Sequence, residues 1–276
     1  MIELLEKMLT YPFMVRAFVV GGLVSLCAAL LGVSLVMKRY SMIGDGLSHV
    51  GFGALAIAAA LGLAPLAVAI PVVIAAAFLL LRLNVHGRVG GDAAIALIST
   101  AALAVGVMVV SLTTGMTTDV ENYMFGSILA MEKGDVALSA ALSAAVLAMY
   151  LLCYNRIFAV TYDETFARAT GVRAGFYDSM LAVMTAVTVV LGMRMMGALL
   201  ISSLIVFPAL SAMRLCRRFK SVILCSALVS VLCFFAGMTV SYLFAAPAGA
   251  SVVLMNLLVY GAFWAISAWK TRLKSE

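Results

Sequence analysis

The sequence predicts an all-α, polytopic membrane protein of about nine transmembrane helices. Three observations carry that reading. First, the 276 residues are 65% hydrophobic and only 11% charged, with a mean hydropathy of +1.18. Soluble domains are about 45–50% apolar and about 25% charged, so this chain lacks the polar surface to cover a water-soluble globule. Second, apolar runs of the length that crosses hydrocarbon, about 20 residues, recur along the chain. Nine of them would use about 180 of the 276 residues, so the chain, 1–276, reads as a single transmembrane domain with short loops. Third, lysines and arginines collect in alternate gaps between the runs. A bilayer offers backbone groups no water, so the runs are expected as helices.

The first span is expected at 17–37, between Arg16 and Lys38. Glu3 and Glu6 precede it, and the run is too long for the apolar region of a cleavable signal. Spans at 42–62 and 64–81 are joined by the tight turn Gly62-Leu63-Ala64-Pro65. A fourth follows at 93–112. The segment 113–134 carries Asp119, Glu121, Asn122 and Tyr123, then an apolar stretch, Phe125 to Leu129, too short to span. It reads as an outer hairpin with a re-entrant or surface helix. Further spans are expected at 136–155, 176–193, 195–213, 221–244 and 250–269, the last four with two very short junctions.

With the N-terminus outside and the C-terminus inside, only Lys7, Arg16, Lys133 and Arg194 of the 18 basic residues lie outside. That asymmetry is the positive-inside pattern. It accounts for the net charge of +6 without a nucleic-acid surface. Arg194, at an outer span end, is expected as an interface anchor. The five cysteines form no C-x-x-C pair and read as apolar packing residues.

Asp45 is the charged residue that does not belong at a span end. It lies in Met42-Ile-Gly-Asp-Gly-Leu-Ser-His49, and His49 follows at i+4. These two positions share a helix face. A charge in hydrocarbon is costly and marks a cavity, a partner or a functional site. A carboxylate and an imidazole together suit Zn²⁺ or Mn²⁺. Counting from Arg39 puts His49 near the midplane, where transport sites lie. Gly44, Gly46, Gly51 and Gly53 permit either a broken helix or close helix contact. Against this stands a plainer pair of roles: Asp45 as a helix cap and His49 as a packing residue. His86 reads as a solvated loop residue.

The longest inner loop holds a short helix. Thr161 and Glu164 have the spacing of a capping box, and Gly171 is a natural stop. Tyr162, Phe166 and Ala169 then share a face, with Asp163, Glu164 and Arg168 on the polar side. Such a helix fits a partner's groove, the alternative being a helix resting on lipid headgroups. No phosphate-binding G-x-x-x-x-G-K-[ST] occurs, nor H-E-x-x-H, nor G-x-S-x-G. The chain is therefore not expected to be an enzyme, and energy for any pumping must come from a separate subunit or an ion gradient.

Three segments together resemble the ABC-3 family of metal permeases, the membrane subunits of zinc and manganese ABC importers. They are Lys38 to His49, Thr161 to Gly171, and Gly197-Ala-Leu-Leu-Ile-Ser-Ser-Leu-Ile-Val-Phe-Pro208-Ala-Leu-Ser-Ala212. The resemblance implies a multi-pass permease of the inner or plasma membrane, paired as a homodimer and surrounded by lipid. It implies two cytoplasmic ABC ATPase subunits below and an extracytoplasmic metal-binding protein above. It places Asp45 and His49 on the metal path, and it makes Tyr162, Asp163, Glu164, Phe166, Arg168 and Gly171 the helix that couples to the ATPase. No tightly bound cofactor is implied; the metal is cargo, with zinc expected first and manganese second. Ala245 and Ala246 precede Pro247 where family members often carry an acidic residue, so an outer acidic contact is not expected there. The rival reading is a secondary transporter with a proton relay through Asp45 and His49.

Overall fold

The computed structural model describes residues 10–86, 91–113 and 133–272, and among these it is helical without strands. Nine of the described helices are long and apolar enough to cross a membrane. They are α1 (Pro12–Met37), α2 (Ile43–Ala60), α3 (Pro65–His86), α4 (Gly91–Thr113), α5 (Lys133–Leu152), α8 (Ala174–Met196), α9 (Ala198–Leu215), α10 (Phe219–Phe244) and α11 (Ala248–Arg272). Two short helices, α6 (Tyr154–Tyr162) and α7 (Glu164–Ala169), stand between α5 and α8. Each expected span is present, displaced by a few residues at its ends. The expected hairpin 113–134 lies almost wholly outside the described residues.

Local chemistry sets the boundaries. Pro12 opens α1 where its missing N–H costs nothing. The helix ends because Arg39 turns into the left-handed region, φ 63°, an uncommon conformation for a side chain of this size. α3 runs on to His86, so that residue ends a helix instead of lying in a loop. One residue, Gly197, joins α8 to α9, and its φ of 86° is open only to a residue without a Cβ. Such a junction leaves α9 no freedom to drift from α8.

α1, α2 and α8 form the centre of the bundle, while α4, α5 and α11 expose most of their apolar surface. Leu97, Met108, Leu152 and Trp269 point outward, as lipid-facing side chains do. In lipid, helices associate through close packing and interhelical hydrogen bonds, and both are present. A Cβ on Gly32 would sit 2.0 Å from the Ile205 carbonyl oxygen, so α1 and α9 meet backbone to backbone. Ser226 and Ser230 of α10 donate to the carbonyls of Ala29 and Ser25 on α1, at 3.3 and 3.0 Å. Ser34 of α1 pairs with the Tyr150 hydroxyl of α5 at 3.2 Å.

Candidate metal path and coupling helices

α2 is one unbroken helix from Ile43 to Ala60, so its glycines do not break it. They admit neighbours: Ile205 lies against Gly44, Ile95 against Gly46, Met193 against Gly51 and the Ala102 carbonyl against Gly53. Gly32 and Gly44 flank the same residue, Ile205. The first turn of α2 therefore lies beside α1 about one to two turns before α1 ends. That turn carries Asp45, and His49 stands one turn further along.

Asp45 does not cap its helix. The cap position is Met42, without a side-chain bond, and the Asp45 carboxylate reaches across to α9. There the Ser202 hydroxyl donates to Oδ1 at 3.3 Å, sharing its proton with the Ala198 carbonyl at 3.1 Å. The other oxygen, Oδ2, faces His49 Nε2 at 3.6 Å. This gap is too long for a hydrogen bond. Two ligands at about 2.0–2.2 Å from one cation stand about 3.0–3.5 Å apart, so the two atoms face each other at close to that spacing. Both side chains are partly exposed, His49 to 25% and Asp45 to 47%. Among the described residues no group of three or more His, Cys, Asp or Glu gathers.

Ser202 could not be singled out from the sequence. It lies in a quoted motif, but contact between α2 and α9 is a property of the fold, and Ser202 is one of two adjacent serines with nothing local to distinguish it. Two ion pairs were likewise invisible. Lys38 binds Asp178 of α8, both nearly buried. Arg194 near the end of α8 meets Asp135 of α5 at 2.7 Å, so its charge is met inside the chain.

The 154–171 segment differs from its expected form. Thr161 is not the cap of a single helix; it is buried near the end of α6. Asp163 takes the cap role, its Oδ1 accepting from the Phe166 N–H at 2.9 Å. A short Asp side chain in extended backbone satisfies that orphan donor, and the chain breaks into two helices there. Glu164 and Arg168 pair at 2.5 Å along α7. Gly171 ends the segment at φ 84°, as expected. Tyr162 and Phe166 fall on different helices, yet both are largely exposed, at 73% and 64%. Ala167 alone of α7 is buried. Behind Tyr162, Phe158 packs at a tilt against Phe219, ring centroids 4.9 Å apart, tying α6 to the start of α10. Burial pushes the Tyr154 phenol above its ordinary range.

Comparison with known proteins decides the family. The model of the ABC 3 transport family matches residues 10–266. The chain belongs to that family. It is similar to the manganese import system permease protein ScaB of Streptococcus gordonii, 24% identical over 274 residues, covering 99% of this chain and 98% of the relative. It is also similar to a Haemophilus influenzae membrane protein named for an iron transport system, 30% identical over 264 residues, covering 95% and 93%. Among solved structures it resembles PsaBC from Streptococcus pneumoniae in complex with Fab, with a TM-score of 0.85 at 26% identity, covering 96% of this chain and 95% of that one. Nine apolar helices among the described residues and family membership make this ABC 3 protein a multi-pass plasma-membrane protein.

Proposed function

We propose that this chain is the permease subunit of an ATP-driven importer of divalent transition-metal ions. Asp45 and His49 line the ion's path, and energy comes from a separate ATPase. The carrying observation is the Asp45 Oδ2 to His49 Nε2 gap of 3.6 Å with Ser202 on the other carboxylate oxygen. One carboxylate and one imidazole per copy leave coordination positions open, which suits passage better than a closed tetrahedral cage. A second copy across a two-fold axis would offer its own pair to the same ion.

Oxygen and nitrogen donors without thiolate suit manganese as well as zinc. The softness of imidazole by itself puts zinc before manganese. The names of the relatives, manganese for ScaB and iron for the Haemophilus protein, support manganese as the first cargo. The basic ends of the helices face the cytoplasm in this reading, which leaves the N-terminus outside. Tyr162 and Phe166, exposed on α6 and α7, then meet the ATPase, and a metal-binding protein delivers the ion from the other side.

The test is uptake of labelled manganese and zinc into proteoliposomes holding the permease, its ATPase and its binding protein. ATP-dependent manganese uptake supports the reading. Zinc uptake alone reverses the cargo and keeps the mechanism. Uptake driven by a proton gradient without ATP favours the proton relay.

A further inference from the structure

The bond between Lys38 and Asp178 ties the α1–α2 turn to the fourth residue after the start of α8. The side chains are 10% and 15% exposed. Buried charges at this depth are held by their partner and lose heavily if it leaves. The small cleft beside the pair, about 30 Å³, has apolar walls that include Leu35, Ile43, Leu80, Ile95 and Leu181. The ion pair is thus a directional, polar link set in a greasy contact that could otherwise slide.

What lies at each end of the link gives it meaning. On the Lys38 side the turn is knit throughout. Lys38 N–H donates to Ser34, Arg39 to Val36, Tyr40 to Leu35, Ile43 to Tyr40 and Gly46 to Met42. With Arg39 held at φ 63°, the five residues from 38 to 42 have little slack. Asp45 follows in the next turn. On the Asp178 side, α7 ends only four residues before α8 begins, and those residues are bonded back onto α7: Gly171 N–H to Arg168 and Val172 N–H to Ala167. Asp178 also lies within electrostatic reach of Glu164 and Arg168.

We propose that Lys38 and Asp178 form a strut that carries motion of the α6–α7 segment to the first turn of α2, and so to Asp45. This rests on the reading of α6–α7 as the ATPase-facing segment. The pair includes neither Asp45 nor His49. It positions the helix that carries both of them.

The experiment uses the whole reconstituted transporter and reads ATP hydrolysed per metal ion imported, with labelled manganese as the probe. Lys38→Gln and Asp178→Asn each keep the size of the side chain and remove one charge. The charge swap, Lys38→Asp with Asp178→Lys, restores the pair in reverse. Each single variant is expected to raise the ATP-to-metal ratio about ten-fold, within the range of ordinary coupling between sites. The swap is expected to bring the ratio back to within about three-fold of the parent. Single variants whose uptake and hydrolysis persist together, or fall in step, overturn the strut and leave a plain packing bond. Where a single variant does not assemble, the swap carries the test, and a swap that assembles yet stays uncoupled also overturns it. A parent that imports no metal would instead strike at the transport reading itself.

Discussion

Asp45 and Ser202, on α2 and α9, meet through a hydroxyl donated to Oδ1 at 3.3 Å. That bond turns the other carboxylate oxygen toward His49. A carboxylate free on the first turn of a helix would sample several rotamers; this one has one oxygen occupied and one presented. Ser202→Ala is expected to weaken metal capture without loss of folding, because the bond orients the carboxylate proposed to line the metal path and is one of two made by the same hydroxyl. The loss of about 1 kcal/mol typical of one such hydrogen bond corresponds to roughly a five-fold rise in apparent KM for uptake. Ser202→Thr keeps the hydroxyl and is expected to keep the parent value.

The Asp163 cap makes a second prediction. Its carboxylate is what lets a six-residue helix form beside α6. Asp163→Ala is expected to cost about 1 kcal/mol locally and to reduce recovery of the ATPase with the permease, while Asp163→Ser retains it. Co-purification followed by metal-stimulated ATP hydrolysis reads both effects.

Gly32 supplies a third. A methyl there would stand 2.0 Å from the Ile205 carbonyl oxygen, and neither backbone can yield alone. Gly32→Ala is expected to lower the melting temperature in detergent by the amount that overpacking of about 1–3 kcal/mol produces. An unchanged melting temperature would show that α1 and α9 can separate freely.

The pair Arg194–Asp135 supplies a fourth. The side chains are 21% and 20% exposed, so water screens them in part. Arg194→Gln and Asp135→Asn are expected to show a coupling energy on the order of 1 kcal/mol in a double-mutant cycle on thermal stability.

Much of this was legible in the chain because membrane helices announce themselves by length and apolarity. All nine expected spans are present, and the i, i+4 spacing sufficed to set Asp45 and His49 on one face. What was not legible depends on which helices touch. Ser202 and Asp178 become partners of Asp45 and Lys38 only after α2 meets α9 and the α1–α2 turn meets α8. The Thr161 capping box failed for a different reason. Two residues further on stands Asp163, a cap residue of equal or better strength, and the α6 helix that would have to stop at Thr161 runs one residue beyond it. Spacing alone could not rank the two.

The transport reading depends on passage of the ion between Asp45 and His49. Its most direct measurement is ATP-dependent manganese uptake by the reconstituted transporter carrying Asp45→Asn or His49→Ala, with assembly checked by ATPase co-purification. Assembled transporters are expected whose uptake falls by roughly a hundred-fold or more, since losing only an outer-shell partner of a metal ligand already costs about 10–100-fold. Parent-level uptake in either variant would contradict it and put the metal path elsewhere in the bundle.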